Sequence, residues 1–399
     1  MRVLIACDKF KDCMDADEAC DIVAEEVRAM QPRWHVDCAP LTDGGEGFAR
    51  ILTKAAGGTI EPITVPGPRF EPVTALVGWV NIEEGDAVLR ETMGIEECNR
   101  IAIIEMAQAS GLQTLPPDRR DPWRTSTWGT GALIRHAVEA GASGILLGIG
   151  GSATNDLGSG ALEALGLRFL DRDGASIEQI TPARWRDVDA VSGSCGNAFP
   201  PVRIACDVDN PLLGTHGATA VFGPQKGLAP QDIPRMEAAV DRFAHLIAAH
   251  FRQPTERMQM PAAGAAGGIG FGLHAALPDV DFTPGATLVK QWLGLSRRIA
   301  AADLIITGEG RLDAGSLRGK GPGTLIENAG NRPVLFLAGS IAADLDLPER
   351  VCSRAISPED WPLERALKAG RSLLRSAVRE ALDDLNSEGN KCDPNHSNP

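Results

Sequence analysis

Five short apolar runs in this chain each end on residues that can bind or move charge. "VLIAC" (3–7) runs into Asp8, Lys9 and Lys11, "HVDCA" (35–39) into "PLTDGGEG", "GILLGI" (144–149) into "GGSATND", "VRIAC" (202–206) into "DVDNP", and "DLIIT" (303–307) into "GEGRLD". Carboxylates, lysines and glycine pairs are the groups that phosphate or hydride chemistry draws on. The stretch "GIGGSA" satisfies the dinucleotide pattern G-x-G-x-x-G/A at Gly148, Gly150 and Ala153, and Asp171 stands near the place of a ribose-binding acid. The same stretch suits an anion cradle. Gly150 and Gly151 permit positive φ and close approach, Ser152 and Thr154 add hydroxyls, and N–H groups at the start of the next helix attract phosphate. A third reading is a tight strand-to-helix turn that needs glycine for geometry alone. "GSLRGKG" around Lys320 is one residue short of the P-loop pattern and lacks its Ser or Thr. None of the seven histidines falls in a ligand spacing such as HExxH, so no zinc is expected.

Buried parallel strands suit the five runs, and helical patterns fall between them. In an open α/β sheet, ligands bind in the loops beyond the carboxyl ends of the strands, where these residues stand. Asp15 and Glu18 form a capping-box pattern before an apolar stripe of Ala19, Ile22, Val23, Val27 and Met30. In "TSTWGTGALIRHAVEAGA", Leu133, Ile134, Ala137 and Val138 share a face and Gly141 stands at a C-terminal cap. This strand, turn, helix, strand rhythm predicts an α/β fold: a Rossmann-like parallel-sheet domain with a second, smaller inserted α/β domain. The expected division puts 1–61, 101–210 and 286–385 in the first, and 62–100 with 211–285, both richer in Gly, Pro or Ala, in the second. The stretch 386–399, with no apolar periodicity, is expected to be a disordered tail.

At 399 residues and 43% hydrophobic content the chain can bury more than one core. Its net charge of −14, with no long Lys/Arg run, argues against nucleic acid or an anionic membrane as partner and leaves small molecules. The nine cysteines are scattered, odd in number and never spaced CxxC, which predicts reduced thiols. "MRVLIACDKFKDC" is a first strand rather than a signal segment, and no run approaches a membrane span, so the expected location is cytoplasmic.

Taken together, "PLTDGGEGF", "TSTWGTG", "GIGGSATNDLGSGALEALGLRFLD", "ACDVDNPLLG", "AVFGPQKG" and "DLIITGEGRLD" resemble the bacterial glycerate kinase family, the type that includes glycerate 2-kinases, over roughly residues 1 to 380. The resemblance implies ATP-dependent phosphorylation of D-glycerate, with 2-phosphoglycerate the favoured product, by a two-domain α/β protein with its active site in the cleft between domains. An NAD-dependent oxidoreductase of a small hydroxy acid and a non-catalytic metabolite sensor are the alternatives. Two loops depart from the family pattern. "DKFKD" has Lys9 and Asp12 where the family has serine and glycine, and "GKGPG" has Gly321 where it has valine, while Asp8, Lys11 and Lys320 match.

Within that reading, phosphoryl transfer needs positioned phosphates, Mg2+, cations and a carboxylate to orient the attacking hydroxyl. Asp207, directly after a strand, is the expected base, with Asp43 as second choice. Glu309 and Asp209 are the expected Mg2+ ligands, because magnesium takes only one or two protein carboxylates and keeps waters. Lys11 and Lys320 are expected to meet phosphate or carboxylate, since an acidic protein must place local cations where anions meet. Lys226, Gln225 and Arg311 are secondary candidates. Asp8, Gly44, Gly45, Gly150, Gly151, Ser152, Asn155 and Asn210 complete the expected substrate and phosphate set. Glu46 and Asp313 are further loop carboxylates; a helix cap or a surface ion pair is the plainer alternative for any of the six (Asp43, Glu46, Asp207, Asp209, Glu309 and Asp313), and it weighs as much as function for Asp313 and Asp209.

Overall fold

The computed structural model describes residues 1–82, 90–91, 93–94, 99–196, 199–317 and 321–389. Its strands, in chain order, are β1 (Arg2–Cys7), β2 (His35–Cys38), β3 (Thr59–Pro66), β4 (Pro72–Asn81), β5 (Arg100–Glu105), β6 (Gly144–Gly148), β7 (Arg168–Leu170), β8 (Ala190–Ser192), β9 (Val202–Ala205), β10 (Val280–Thr283), β11 (Leu304–Leu312), β12 (Val334–Ile341) and β13 (Val351–Ala355). The α/β class read from the sequence is the one observed, with parallel pairing dominant.

The chain divides into two compact units, and the division differs from the one expected. A terminal unit comprises Met1–Thr42 and Leu293–Pro399, and an inserted unit comprises Asp43–Trp292. The insertion is therefore one continuous piece, and it is the larger unit. The described residues of 62–100 and 211–285 do not form a unit of their own. The described residues of β3, β4 and β10 hydrogen-bond into the same sheet as β5, β6 and β9, which ties both segments to 101–210.

In the terminal unit the sheet order is β13-β12-β11-β1-β2, parallel throughout. β1 and β11 are centre strands buried on both faces, which is why "VLIAC" and "LIIT" read as continuous apolar runs. The helix Ala16–Met30 covers the sheet, and Asp15 caps it by accepting from the Glu18 amide at 2.8 Å. Across it lies Leu363–Gly389, whose Leu374, Val378 and Leu382 join Val23 and Val27 in one core. Glu26, nearly buried, accepts from Arg375 at 2.7 Å and Arg379 at 2.6 Å, and those guanidinium contacts hold its carboxyl below the usual range. This helix continues to Gly389, into the stretch expected to be a disordered tail, and 390–399 lie outside the described residues.

In the inserted unit the order is β10-β9-β6-β5-β4-β3, parallel from β10 to β5 and antiparallel at the β4 and β3 edge. The five decorated strands are thus shared between two sheets: β1, β2 and β11 in one, β6 and β9 in the other. β7 pairs antiparallel with β8 in a small separate sheet. Among the described residues, Cys7, Cys13, Cys20, Cys38, Cys195, Cys206 and Cys352 are unbridged, and Cys98 and Cys392 lie outside them. No helix among the described residues is long and apolar enough to cross a membrane.

Candidate active site

Three loops of the inserted unit meet at the carboxyl ends of β5, β6 and β9. Glu105, the last residue of β5, is 3% exposed and accepts from the amides of Gly47 (3.2 Å) and Ala49 (3.3 Å) and from Gln108 (3.0 Å), which fixes "DGGEG" at the start of helix Phe48–Ala55. Burial pushes its carboxyl up, and these hydrogen bonds partly offset that. The Gly150 amide then donates to the Gly44 carbonyl at 3.0 Å. A methyl group on Gly150 would lie 2.7 Å from the Gly45 Cα, and one on Gly148 would lie 2.6 Å from the Gly44 oxygen. On its other side Gly44, at φ +91°, leaves only 3.1 Å between a would-be Cβ and the Ala205 carbonyl at the end of β9. Asp207 follows, and its Oδ1 accepts from the Ala286 amide at 3.1 Å, at the start of helix Gly285–Trp292. A Cβ on Gly285 would stand 2.7 Å from the Asp43 oxygen and 3.0 Å from Asp207 Oδ2. Asp43, Gly44, Gly45, Gly150 and Asp207 are therefore brought together, with backbone packed on backbone.

The rest of "GGSATND" turns inward. Lys226, 1% exposed, donates to Ser152 Oγ at 2.9 Å and to the Thr154 carbonyl at 2.6 Å. Burial pulls its ammonium down to about 7, and the charge of Asp156 acts against this. Asn155 is 1% exposed and donates to Thr219 Oγ1 at 3.0 Å. Asp156, fully buried, accepts from the Thr127 amide (2.8 Å), Thr127 Oγ1 (2.9 Å) and the amides of Gly158 and Gly160 (3.2 Å each), so "TSTWGTG" and "GGSATND" are sewn to each other. The expectation of helix N–H groups just after the glycine pair needs correction. The next helix begins only at Ser159, the Gly150 amide is spent on Gly44, and the Ala153 amide donates to Ser110 at 2.9 Å. What the turn presents at its surface is Gly151, at φ +73° and exposed. Asn210 donates to the His216 carbonyl at 2.8 Å, and Asp209 is exposed.

The dinucleotide reading fails on topology. A Rossmann fingerprint needs the strand after the glycine helix to lie parallel in the same sheet, whereas β7 pairs antiparallel with β8. Asp171 accepts from the amides of Asp173 and Ala175, both at 2.9 Å, and makes a surface turn.

In the terminal unit, Asp8 and Glu309 stand side by side just past the Cys7–Gly308 register pair of β1 and β11. Burial, then the nearby carboxylates of Asp8 and Asp313, push Glu309 up to about 7, with Ser316 partly offsetting the shift. Its Oε1 is buried with no hydrogen-bond partner among the described residues. Asp313 accepts from the amides of Gly315 (2.8 Å) and Ser316 (3.3 Å), the plainer turn role. Lys11 is exposed on the loop after β1, and Gly321, at φ +41°, would bring a Cβ within 3.0 Å of Asp8. Lys320 lies outside the described residues.

Comparison with known proteins gives this arrangement a relationship. The profile described as "Glycerate kinase family" matches residues 3–386. The chain belongs to the glycerate kinase family. A glycerate kinase of Bacillus subtilis (strain 168) is 39% identical over 393 residues, covering 95% of this chain and 96% of that one. Glycerate 2-kinase of Escherichia coli (strain K12) is 35% identical over 351 residues, covering 86% and 87%. A crystal structure described as glycerate kinase 2 from Salmonella typhimurium LT2 superposes with a TM-score of 0.75 at 38% identity, covering 98% of this chain and 99% of that one. The protein is thus an enzyme of the kinase class. Within this family chain, sequence reasoning missed Glu105, Asp156 and Thr127. For Glu105 a signal was present: the apolar run "IAII" ends on a carboxylate just as the decorated strands do.

Proposed function

We propose that the protein is a cytoplasmic enzyme that phosphorylates D-glycerate with ATP and Mg2+ to give 2-phosphoglycerate. The observation that carries this reading is the family match over residues 3–386, in a chain whose loops assemble carboxylates and close-packed glycines at strand ends. In this reading Asp207 accepts the proton of the glycerate hydroxyl as that oxygen attacks the γ-phosphorus and the bond to the bridging oxygen breaks, releasing ADP. The Ala286 amide holds Oδ1 and orients the carboxylate. Asp43 is the second candidate for that base. Gly44, Gly45, Gly150 and Gly151 shape the backbone around the anion, Ser152, Asn155 and Asn210 brace their loops from within, and Lys11, Lys320 and Asp8 orient charged substrate groups.

Magnesium suits the acid loops of this chain. The buried Glu309 Oε1 lacks a hydrogen-bond partner among the described residues and faces a local excess of negative charge from Asp8 and Asp313. Glu309 is the residue of the terminal unit, and Asp209 that of the inserted unit, that we assign as candidate Mg2+ ligands; a bound ion would supply charge neutralisation at the phosphates.

A coupled assay for ADP release with D-glycerate, ATP and Mg2+ tests the reaction, and phosphorus NMR of the product tests the position. We expect turnover and a 2-phosphoglycerate signal. Ligand binding without ADP release would favour the sensor instead, and a 3-phosphoglycerate signal would overturn the position assigned.

A further inference from the structure

At the amino-terminal edge of the terminal sheet, opposite the Asp8 and Glu309 loops, lies a cavity of about 430 Å³. Its charged lining comprises Arg2, His35, Asp37, Arg297 and Arg298. Arg2 and His35 stand in register on β1 and β2, and the two other arginines project from the helix Leu295–Ala301. Arg298 is committed: it donates to Asp37 at 2.6 Å and to the Cys38 carbonyl at 3.1 Å, so that pair cancels. The side chains of Arg2 and Arg297 have no hydrogen-bond or ion-pair partner among the described residues, and both are exposed. The nearby Asp303 carboxylate keeps its charge but lies outside the cavity's lining. Asp303 accepts from the Arg2 amide at 2.7 Å, and the carbonyls of Ala300 and Ala302 at the end of the arginine-bearing helix accept from Arg332 at 2.8 and 3.0 Å. Arg332 therefore offsets the negative end of that helix dipole, which would otherwise repel an anion.

In a chain of net charge −14, two uncompensated guanidinium groups and an imidazole around one concavity are an anomaly that a ligand explains. We propose that this cavity binds a small phosphate monoester. Two uncompensated positive charges match a dianion, the planar forks of Arg2 and Arg297 suit two phosphate edges, and the volume falls in the range of metabolite pockets. Arg2 to Asp8 spans β1, about 20 Å of strand, so this site is separate from the candidate active-site loops of its own unit.

Methyl phosphate and inorganic phosphate, titrated into the full-length protein by calorimetry and phosphorus NMR, test the site. We expect Arg297→Gln to weaken one binding event about tenfold, the double change Arg2→Gln with Arg297→Gln to abolish it, and Arg297→Lys to retain most of it. Basal turnover should be unchanged in all three, because none of these residues is assigned to the reaction. Identical isotherms for wild type and Arg297→Gln, or no binding to the wild type at millimolar phosphate, would overturn the proposal. If the double variant melts early, the single variants, each removing one exposed side chain, still decide.

Discussion

Asp207 and Lys226 make opposite demands on their surroundings, and each can be tested by a nearly isosteric change. Asp207→Asn keeps an oxygen to accept from the Ala286 amide and removes only the capacity to take a proton. It should therefore lower kcat by about 10²- to 10⁴-fold with little change in melting temperature; an active variant would move the base to Asp43. Lys226 is a stability argument. Its folded pKa of about 7 lies below the ordinary 10.5, so between those values the unfolded chain binds a proton that the folded chain does not. Stability then rises with pH through that window, at up to about 1.4 kcal/mol per pH unit, and is flat below about 7. Urea unfolding of wild type and Lys226→Met at pH 7, 8 and 9 should show the wild type gaining on the variant as pH rises, and parallel curves would refute a neutral buried amine. Neither behaviour was legible in "GPQKG", because a lysine in a sequence reads as solvated and only the fold buries it.

The loop elements explain why so much glycine stands at the strand ends. In "GIGGSATND", what approaches the glycines within the described structure is another backbone. Gly148 and Gly150 sit against Gly44 and Gly45 with no room for a Cβ, whereas a Cβ on Gly151 would meet only the Ala107 methyl at 3.5 Å. Gly150→Ala should push "DGGEG" off β6, costing about 1 to 3 kcal/mol and most of kcat/KM. Gly151→Ala should cost only the positive-φ strain, about 1 to 2 kcal/mol. Thermal melts and steady-state kinetics of the two variants would separate these outcomes; equal losses would mean that the glycines serve turn geometry alone. Strand identity was legible because buried parallel strands are unbroken apolar runs with polar ends. Which sheet each run joins was not, since that depends on pairings such as β1 with β11, whose partners Val3 and Leu304 lie far apart in the chain.

At the scale of the whole chain, the partition was misread for a physical reason. Gly, Pro and Ala richness at 62–100 and 211–285 reports turns and tight packing, not a boundary, whereas one junction, 42/43, falls inside the loop "PLTDGGEG" and the other, 292/293, inside "KQWLGLS". Each unit has a core cluster of its own. One cluster joins Val65 through Leu277 and belongs wholly to the inserted unit, and another joins Val3, Ile5 and Val27 to Ile306, Leu337 and Leu382 in the terminal unit. The inserted unit is continuous in sequence and carries its own six-stranded sheet, so it has what a domain needs to fold alone. A fragment Asp43–Trp292 should melt cooperatively in circular dichroism with a near-native far-ultraviolet spectrum. It should nonetheless give no ADP release with D-glycerate, ATP and Mg2+, because Asp8, Lys11 and Glu309 belong to the other unit. A fragment that is folded and active would remove those three residues from the reaction. One that is collapsed and non-cooperative would show that the inserted unit depends on the rest of the chain for its stability.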